Sequence, residues 1–429
     1  MATAMASCQF KRPGDIDPPV DAAVVDAVAD AVWQCTPGQD VCAGDVLTTC
    51  DADGQATVTT CAFGCAATND RCYDLDPSNG LAAALDAARD AQPLALSGQA
   101  VIDTSTETVV DGNGLAVTVA ARIISGGPVE IFAISVKSLD VFDVRVQGSR
   151  ALAILSDGDV TIGGTLSVSA EHAYPGPGSI SSGPCVGGSG AAMGSAYSGG
   201  GGGGFGSVGG RGGWAGAAPA GARGVIAGDA TLVPLRGGCR GGTRLASDDP
   251  APSLLAAPGG GGGALQLSAR GRLTISPSAF IAANGGGAKG NTQPITPSCF
   301  TNGLCDAGAG GGAGGAILLE GAGLVVASTG GIVANGGAGK FGGIGLAADG
   351  MLAESPALAA STNPQAGAGG ALGVDATDGG AGAATGWTEG AGGGGGVGRI
   401  RINLPPGATF DQGPPIISPA ATIGSVGVR

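Results

Sequence analysis

The stretch GGALQLSARGRLTISPSAFIAANGGG, residues 262–287, decides the fold, because its pattern recurs along the chain. A second copy, GGAILLEGAGLVVASTGGIVANGGAG, covers residues 314–339, and a truncated copy, GGVGRIRINLPPGATF, covers residues 395–410. A less Gly-rich relative, DVTIGGTLSVSAEHAYPG, occupies residues 159–176. Copies spaced by about 50 residues are typical of a solenoid in which each coil carries a long loop. The pattern therefore predicts stacked coils.

Apolar residues alternate with other residues inside each copy. Leu265 and Leu267 in one copy, and Ile400 and Ile402 in another, follow the period of two that is typical of strands with one buried face. Residues 97–156 add further short apolar runs separated by turn signals such as DGNG and SGG. The sequence therefore predicts an all-β parallel solenoid over residues 96–420.

One amphipathic segment precedes these strands. The sequence SNGLAAALDAARDAQPL predicts a helix within residues 76–95, with Ser78 or Asn79 as its N-cap. Solenoids need a terminal element that covers the open edge of the first coil. We expect this helix to be that cap.

The opening helix ALDAARDA and the run DVFDVRVQG resemble those of the pectin-lyase-like class, whose fold is a single-stranded right-handed parallel β-helix. The Gly-dense copies are also similar to glycine-rich bacterial surface proteins, a class largely without assigned function. The resemblance implies a right-handed β-helix with lateral Gly-rich loops. It is one of pattern, and no catalytic motif of the class matches.

Polysaccharide-cleaving enzymes of that class use carboxylates, alone or with Ca²⁺ and a basic residue, so the resemblance makes Asp140, Asp143 and Arg145 the candidate catalytic residues. If Phe142 and Val144 point inward, Asp143 and Arg145 share the outer face of the strand. Asp140 then points inward unless a bend intervenes. The alternative interpretation of the outer residues is an ordinary surface ion pair.

Three Gly-rich inserts leave the predicted coils after equivalent positions, at residues 173–258, 285–311 and 336–395. Coils stacked in register would place them side by side as one lateral surface. The chain has 88 Gly among 429 residues and only 3% aromatic residues, which suits a core of small and aliphatic side chains. Composition favours flexible linkers in the inserts, whereas their cysteine pairs favour ordered packing.

The cysteines form two even groups and one single residue. Six of them lie in a module at residues 35–73 that is too small to be stable by core burial alone, so we expect disulfides, with 15 connectivities open. Zinc is the alternative, but paired CxxC motifs and a nearby histidine are missing. In the inserts we expect Cys185 to pair with Cys239 and Cys299 with Cys305. The expected disulfide cysteines are Cys35, Cys42, Cys50, Cys61, Cys65, Cys72, Cys185, Cys239, Cys299 and Cys305.

The single cysteine, Cys8, follows Met5-Ala6-Ser7, which resembles the end of a bacterial lipobox. Residues 1–8 are then the remnant of a signal peptide, Cys8 is lipidated, and residues 9–34 are an acidic Pro/Ala/Asp linker between the membrane and the folded parts. A free thiol is the alternative. With the disulfides, this predicts a cell-envelope protein of the outer membrane or cell surface, or otherwise a secreted one.

The charge of the chain disfavours one class of partner. With 34 acidic and 20 basic residues the net charge is −14, which opposes binding to a phosphate backbone, so nucleic acid is not an expected partner. No cofactor is expected, and Ca²⁺ on acidic turns such as DADG or DGNG is the alternative. The only histidine, His172, has no nucleophile-elbow motif to support a triad and is interpreted as a surface corner residue.

Two functions are compatible with these observations. The first is a non-enzymatic structural or adhesive protein of the cell envelope, which displays Gly-rich loops toward cell-surface polysaccharide or protein. The second is a secreted polysaccharide lyase or hydrolase, which requires carboxylates with shifted pKa values in a groove on the coil face.

Overall fold

The structure is a computed structural model that describes most of the chain after residue 34. The described ranges are 35–68, 70–193, 196–243, 257–290, 307–341, 346–358, 366–381, 389–408 and 410–429. They divide into two compact units, of which the first comprises residues up to Cys61 together with Cys65–Arg71. The second comprises Ala62–Gly64 and Cys72–Arg429.

The first unit contains a small antiparallel sheet of three strands. These are β1 (Val41–Ala43), β2 (Val46–Cys50) and β3 (Ala56–Thr60), paired in that order. The strands are short and mostly exposed, so side-chain burial contributes little to the stability of this unit.

Disulfides hold the first unit together in place of a core. Cys35 bonds to Cys50 and Cys42 bonds to Cys65, and Cys61 is also disulfide-bonded. Cys72, in the second unit, is disulfide-bonded as well. All six cysteines of the predicted module are therefore engaged as disulfides rather than as thiolate ligands for zinc.

The second unit is mostly β-strand. Its strands are β4 (Leu75–Asp76), β5 (Leu94–Leu96), β6 (Ala100–Asp103), β7 (Thr108–Val110), β8 (Ala116–Val117), β9 (Ala120–Ile124), β10 (Ile131–Val136), β11 (Leu139–Val141), β12 (Val144–Gln147), β13 (Ala151–Ser156), β14 (Val160–Ile162), β15 (Thr165–Ser167), β16 (Ala192–Met193), β17 (Ala196–Tyr197), β18 (Ala264–Ile275), β19 (Phe280–Ala282), β20 (Ala316–Val326), β21 (Gly331–Val333), β22 (Arg399–Leu404), β23 (Phe410–Gln412), β24 (Ile416–Ser418), β25 (Thr422–Ser425) and β26 (Gly427–Val428).

Two large sheets contain most of these strands. One has eleven strands, with β25-β22-β20-β18-β13-β10-β9 as its main path and β5, β11, β14 and β23 paired beside it. The other has eight, in the order β24-β21-β19-β15-β12-β6-β7-β8. Pairing is parallel except where β9, β7 and β8 join. Ala264 pairs with Ala316, and Ala316 with Arg399, so the sequence copies align in register.

The predicted helix is present but shorter than residues 76–95. The α-helix α1 covers only Ala82–Ala87, and a 3₁₀ turn follows at Ala88–Asp90. Leu81 is its N-cap residue, without a side-chain cap. The helix packs on strands β9, β10 and β13 of the eleven-stranded sheet.

The predicted capping residues bind the sheet instead of the helix. Ser78 donates its backbone N–H and its hydroxyl to the carboxylate of Glu320, and Asn79 donates from Nδ2 to Gln266 at 2.9 Å. Glu320 also accepts from Ser268 and Asn403 on the flanking strands. Because Glu320 is fully buried, these donors satisfy polar oxygens that would otherwise be costly to bury.

Both faces of the eleven-stranded sheet are buried at its centre, which differs from the single buried face predicted by the alternation. Leu267 and Leu319 point into the core between the two sheets. Ala264 and Leu318, on the opposite face, belong to a second buried cluster that also contains Leu85 of α1. The alternation identifies the inner face correctly, but it does not reveal that another part of the chain covers the outer face.

A charged cluster fixes the beginning and the end of the second unit to this sheet. The guanidinium of Arg270 contacts Asp74 at 2.7 Å and Asp157 at 2.9 Å. Arg429, at the end of the sequence, also pairs with Asp74 and with Asp86. The cluster therefore joins four parts of the chain that are distant in sequence, at residues 74–86, 157, 270 and 429.

Candidate functional site

The described parts of the Gly-rich inserts lie side by side in one assembly, which we call the glycine bundle. Its main segments are residues 187–190, 198–206, 208–213, 220–225, 237–243, 257–263, 284–289, 307–315, 334–340, 366–370 and 389–398. Most of their residues are buried. The predicted lateral surface of neighbouring inserts is thus a packed body of backbone.

Hydrogen bonds in the glycine bundle recur every three residues and run between segments. Gly308, Gly311 and Gly314 donate in turn to the carbonyls of residues 390, 393 and 396 at 2.9 Å each. The residues between them donate to other segments, for example Gly310 to Gly242 and Gly312 to Gly286. A repeat of three without internal hydrogen bonds is the geometry of the polyproline II helix.

The segment at residues 307–315 exchanges hydrogen bonds with six others. It donates to segments 389–398, 237–243 and 284–289, and it accepts from segments 198–206, 257–263 and 334–340. The donors and acceptors of consecutive residues thus point outward in several directions around the segment axis. Buried backbone groups are satisfied in this way without a sheet ladder.

Close packing of the segments depends on the absence of side chains. A Cβ built on Gly202 would overlap the carbonyl oxygen of Gly394, and one on Gly312 would overlap that of Gly260. Composition favours flexible linkers here, but in the described segments the glycines allow backbones to approach each other. The function of these glycines is therefore packing.

One predicted disulfide joins the bundle. Cys185 bonds to Cys239, and both residues are buried. Cys185 lies just before segment 187–190, and Cys239 lies within segment 237–243. The other cysteines predicted for special roles, Cys299, Cys305 and Cys8, lie outside the described residues.

A second feature is a groove of about 470 Å³ on the outer face of the eight-stranded sheet. Its polar lining comes from strands β12 and β15, from the corner that follows β15, and from a distant loop. Its polar lining residues include Asp143, Arg145, Ser167, Ser169, Glu171 and Asp349. We call it the carboxylate groove.

Two of the three candidate catalytic residues line the carboxylate groove. Asp143 adopts φ of 58° and accepts a hydrogen bond from the Thr165 N–H at 3.0 Å, and this bend separates β11 from β12. Arg145 pairs with Glu171 rather than with Asp143. Asp140 lies in β11, in the eleven-stranded sheet, and is exposed. The bend required for Asp140 to point outward is therefore present.

Asp349 is the most buried carboxylate of this groove. Its Oδ1 accepts from the N–H of Gly287 at 2.6 Å and of His172 at 3.0 Å. Burial raises the pKa of Asp349, and these two donors and the nearby imidazole only partly offset that effect. The Nδ1 of His172 is buried 3.1 Å from Oδ1 without hydrogen-bond geometry. The groove thus combines a carboxyl group of raised pKa with two more exposed carboxyl groups, those of Asp143 and Glu171.

Sequence reasoning missed Asp349, because LAADG lies in an Ala/Gly-rich insert without a motif. Only the return of that insert to the corner at His172 places the carboxyl group in the groove. The sole available signal was a lone acidic residue in an apolar segment. His172 is half-buried against Asp349, and so is more than a surface corner residue.

The acidic turns considered for Ca²⁺ use their carboxylates locally. Asp51 accepts from the backbone N–H groups of Asp53 and Gln55. Asp111 accepts from those of Asn113 and Leu115 in the same way. These carboxylates close their own turns, which accounts for the sequence pattern without a metal ion.

The chain matches no known protein-family profile, no curated protein and no solved structure. Among the described residues, none of the helices has the length and apolar character needed to cross a membrane.

Proposed function

We propose that the protein is a non-enzymatic structural or adhesive protein of the cell envelope, built on a right-handed parallel β-helix that displays the glycine bundle. The packing of the glycine bundle is the observation that carries this proposal. A body of buried backbone offers rigidity and a large lateral surface, and these properties suit display and contact rather than chemistry.

The β-helix is supported by the order in which strands join the two sheets. Along the chain, β13 and β14 belong to the eleven-stranded sheet, β15 to the eight-stranded one, and β18 returns to the first. After β18, β19 joins the eight-stranded sheet, β20 the eleven-stranded sheet and β21 the eight-stranded sheet, so the alternation repeats. Parallel neighbours reached by such connections are right-handed in nearly all proteins, which supports the proposed hand.

Exposed apolar side chains at one end of the bundle support an adhesive role. Gly199 donates to the Gly213 carbonyl at 3.0 Å, so the start of segment 198–206 and the end of segment 208–213 are neighbours. Met193, at the end of β16, and Trp214, directly after segment 208–213, are 56% and 51% exposed. Aromatic and Met side chains are enriched at binding surfaces, so we propose that this end contacts polysaccharide or protein.

The disulfides support export to an oxidising compartment. Lipidation of Cys8 and a tether at residues 9–34 would hold the folded units at the outer membrane or cell surface. An exported chain without the lipid would be secreted.

Cosedimentation tests the adhesive role. The oxidised full chain is mixed with insoluble cell-wall polysaccharides, and the bound fraction is measured. We expect Trp214→Ala with Met193→Ala to reduce binding at least about tenfold. Leu115→Ala, which removes another exposed apolar side chain, is the matched control. Equal binding by both variants would contradict the adhesive role.

A second candidate is polysaccharide cleavage in the carboxylate groove. The raised pKa of Asp349 favours it, because glycosidic cleavage uses a general acid of raised pKa beside a second carboxyl group. Release of new chain ends from acidic and neutral polysaccharides measures this activity. Asp349→Asn and Asp143→Asn should abolish it, while Asp140→Asn, outside the groove, should not. Absence of cleavage on every substrate would eliminate the candidate.

A further inference from the structure

A separate pocket of about 560 Å³ lies beside the Cys185–Cys239 disulfide. Residues 180–185 form one side, residues 225–229 form another, and the side chain of Arg236 forms part of the wall. Leu235 donates its backbone N–H to Oδ1 of Asn79, and Gly237 donates to the Gly178 carbonyl, so the backbone is fixed on both sides of Arg236. The pocket is therefore formed by ordered chain.

Arg236 has an unused donor in this pocket. Its Nε is buried, and no acceptor within the described residues has hydrogen-bond geometry to it. A guanidinium stays charged at every physiological pH, so a buried N–H without a partner costs stability. A Cβ at Gly228 would lie 2.7 Å from Cε2 of Phe205 and 3.6 Å from Nε, so this glycine and the Phe205 ring both lie next to the donor.

The charges around the pocket are not balanced. Asp229 lines it, but its Oδ1 accepts from the N–H and the hydroxyl of Thr231 instead of from Arg236. Arg399 lies close by, with Nε donating to the Ala227 carbonyl and its guanidinium 5.8 Å from the centroid of the Phe205 ring. Two guanidinium groups thus lie near a single carboxylate. The local charge is therefore about +1 in a strongly acidic protein.

We propose that this pocket binds a carboxylate-bearing ligand, whose oxygens accept hydrogen bonds from the guanidinium of Arg236. A carboxylate matches the planar fork of a guanidinium and carries the single negative charge that balances the site. The exposed side chains of Val225 and Ile226 offer an apolar rim for the body of the ligand. The site stands independently of the scaffold function and of the carboxylate groove.

Calorimetric titration of the oxidised full chain tests the proposal, with D-glucuronate, acetate, D-glucose and sulfate as probes. We expect glucuronate to bind and glucose, which lacks the carboxylate, not to bind. Arg236→Gln should weaken glucuronate binding at least about tenfold, because it removes a charged hydrogen-bond pair. Arg240→Gln, an exposed arginine in the same segment, is the matched control and should bind like the original protein.

The four probes and two variants distinguish recognition of a carboxylate by Arg236 from the alternatives. Binding of acetate together with glucuronate supports the carboxylate as the recognised group. Binding of sulfate alone, or equal affinities of Arg236→Gln and Arg240→Gln for glucuronate, would overturn the proposal, as would uptake of no anion. A thiol assay and a melting curve on both variants check that the Cys185–Cys239 disulfide and the fold are kept.

Discussion

The eleven-stranded sheet and the glycine bundle solve the same problem in opposite ways. Both bury backbone and satisfy its hydrogen bonds. The sheet excludes water with side chains such as Leu267 and Leu319, whereas the bundle excludes it by bringing backbones into direct contact at glycines such as Gly312. Removing atoms should therefore destabilise the sheet core, and adding atoms should destabilise the bundle.

The largest effect is expected from adding atoms to the centre of the bundle. In Gly312→Val the new side chain would overlap the Gly260 carbonyl, and neighbouring backbone cannot move away because six segments surround this one. We expect a loss of at least about 4 kcal/mol in the free energy of unfolding, measured by chemical denaturation.

Gly127→Ala is the control for that substitution. A Cβ there would meet the Val129 carbonyl oxygen only at 3.4 Å, outside the bundle. Its effect should be within about 1 kcal/mol. If Gly312→Val were as mild as Gly127→Ala, the bundle would not be closely packed.

Removing atoms from the sheet core comes next. Leu267→Ala leaves a cavity between the two sheets, where Leu267 is fully buried, and should cost about 2–5 kcal/mol in chemical denaturation. Leu115→Ala, at a side chain that is 65% exposed, should change stability by less than about 0.5 kcal/mol. A cost for Leu267→Ala no larger than that of Leu115→Ala would contradict the side-chain core.

The sheet could be predicted from the sequence because its signal is local. Alternating leucines mark the inner face, and the correspondence of Ala264 with Ala316 gives the register of two adjacent strands. The bundle could not be predicted in the same way. A Gly run has no side-chain pattern that distinguishes a flexible linker from a packed segment, and the partners of Gly312 come from four distant parts of the chain.

The carboxylate groove and the Arg236 pocket could likewise be predicted from the sequence only in part. Asp143 and Arg145 are two residues apart in sequence, at the bend before β12 and in β12 itself, so alternation places both in the groove. Asp349 joins them only through the path of an insert, and Arg236 gains its significance from the absence of an acceptor in three dimensions. Neither arrangement follows from spacing along the chain.

The next effect is expected at the charged cluster of Arg270, Arg429, Asp74, Asp86 and Asp157. Arg270→Ala should lower stability at pH 7 by about 1–3 kcal/mol, because it removes charged hydrogen bonds to Asp74 and Asp157. Arg270→Lys keeps the charge without the planar fork and should recover part of that loss. Melting temperatures of both variants check this order, and equal values for the two would contradict it.

The same cluster predicts a pH dependence. Burial alone would raise the pKa of Asp74, but the hydrogen bonds and charge of Arg270 outweigh it, so the pKa of Asp74 is lowered. The unfolded chain then binds protons more readily, and the stabilisation is present above the ordinary carboxyl pKa of about 3.9 and is lost as the pH falls through the lower, folded value. Arg270→Ala should show a smaller loss of melting temperature below about pH 4 than the original protein.

The smallest effect is expected at the surface, outside both kinds of core. Arg145 and Glu171 form an ion pair in which both side chains are 51% exposed. Arg145→Ala should change the free energy of unfolding by less than about 1 kcal/mol, and added salt should reduce the difference further. A larger, salt-insensitive loss would mean that the groove contributes to the stability of the fold.

Amide hydrogen exchange most directly tests whether the glycine bundle is a packed structure. Rates are compared between residues 307–315, in the bundle, and β20, which follows directly in the sequence. The hydrogen bonds from Gly308, Gly311 and Gly314 predict protection in the Gly segment of the same order as in the strand. Exchange of these glycine amides at the rate of an unstructured chain, beside a protected β20, would contradict the account.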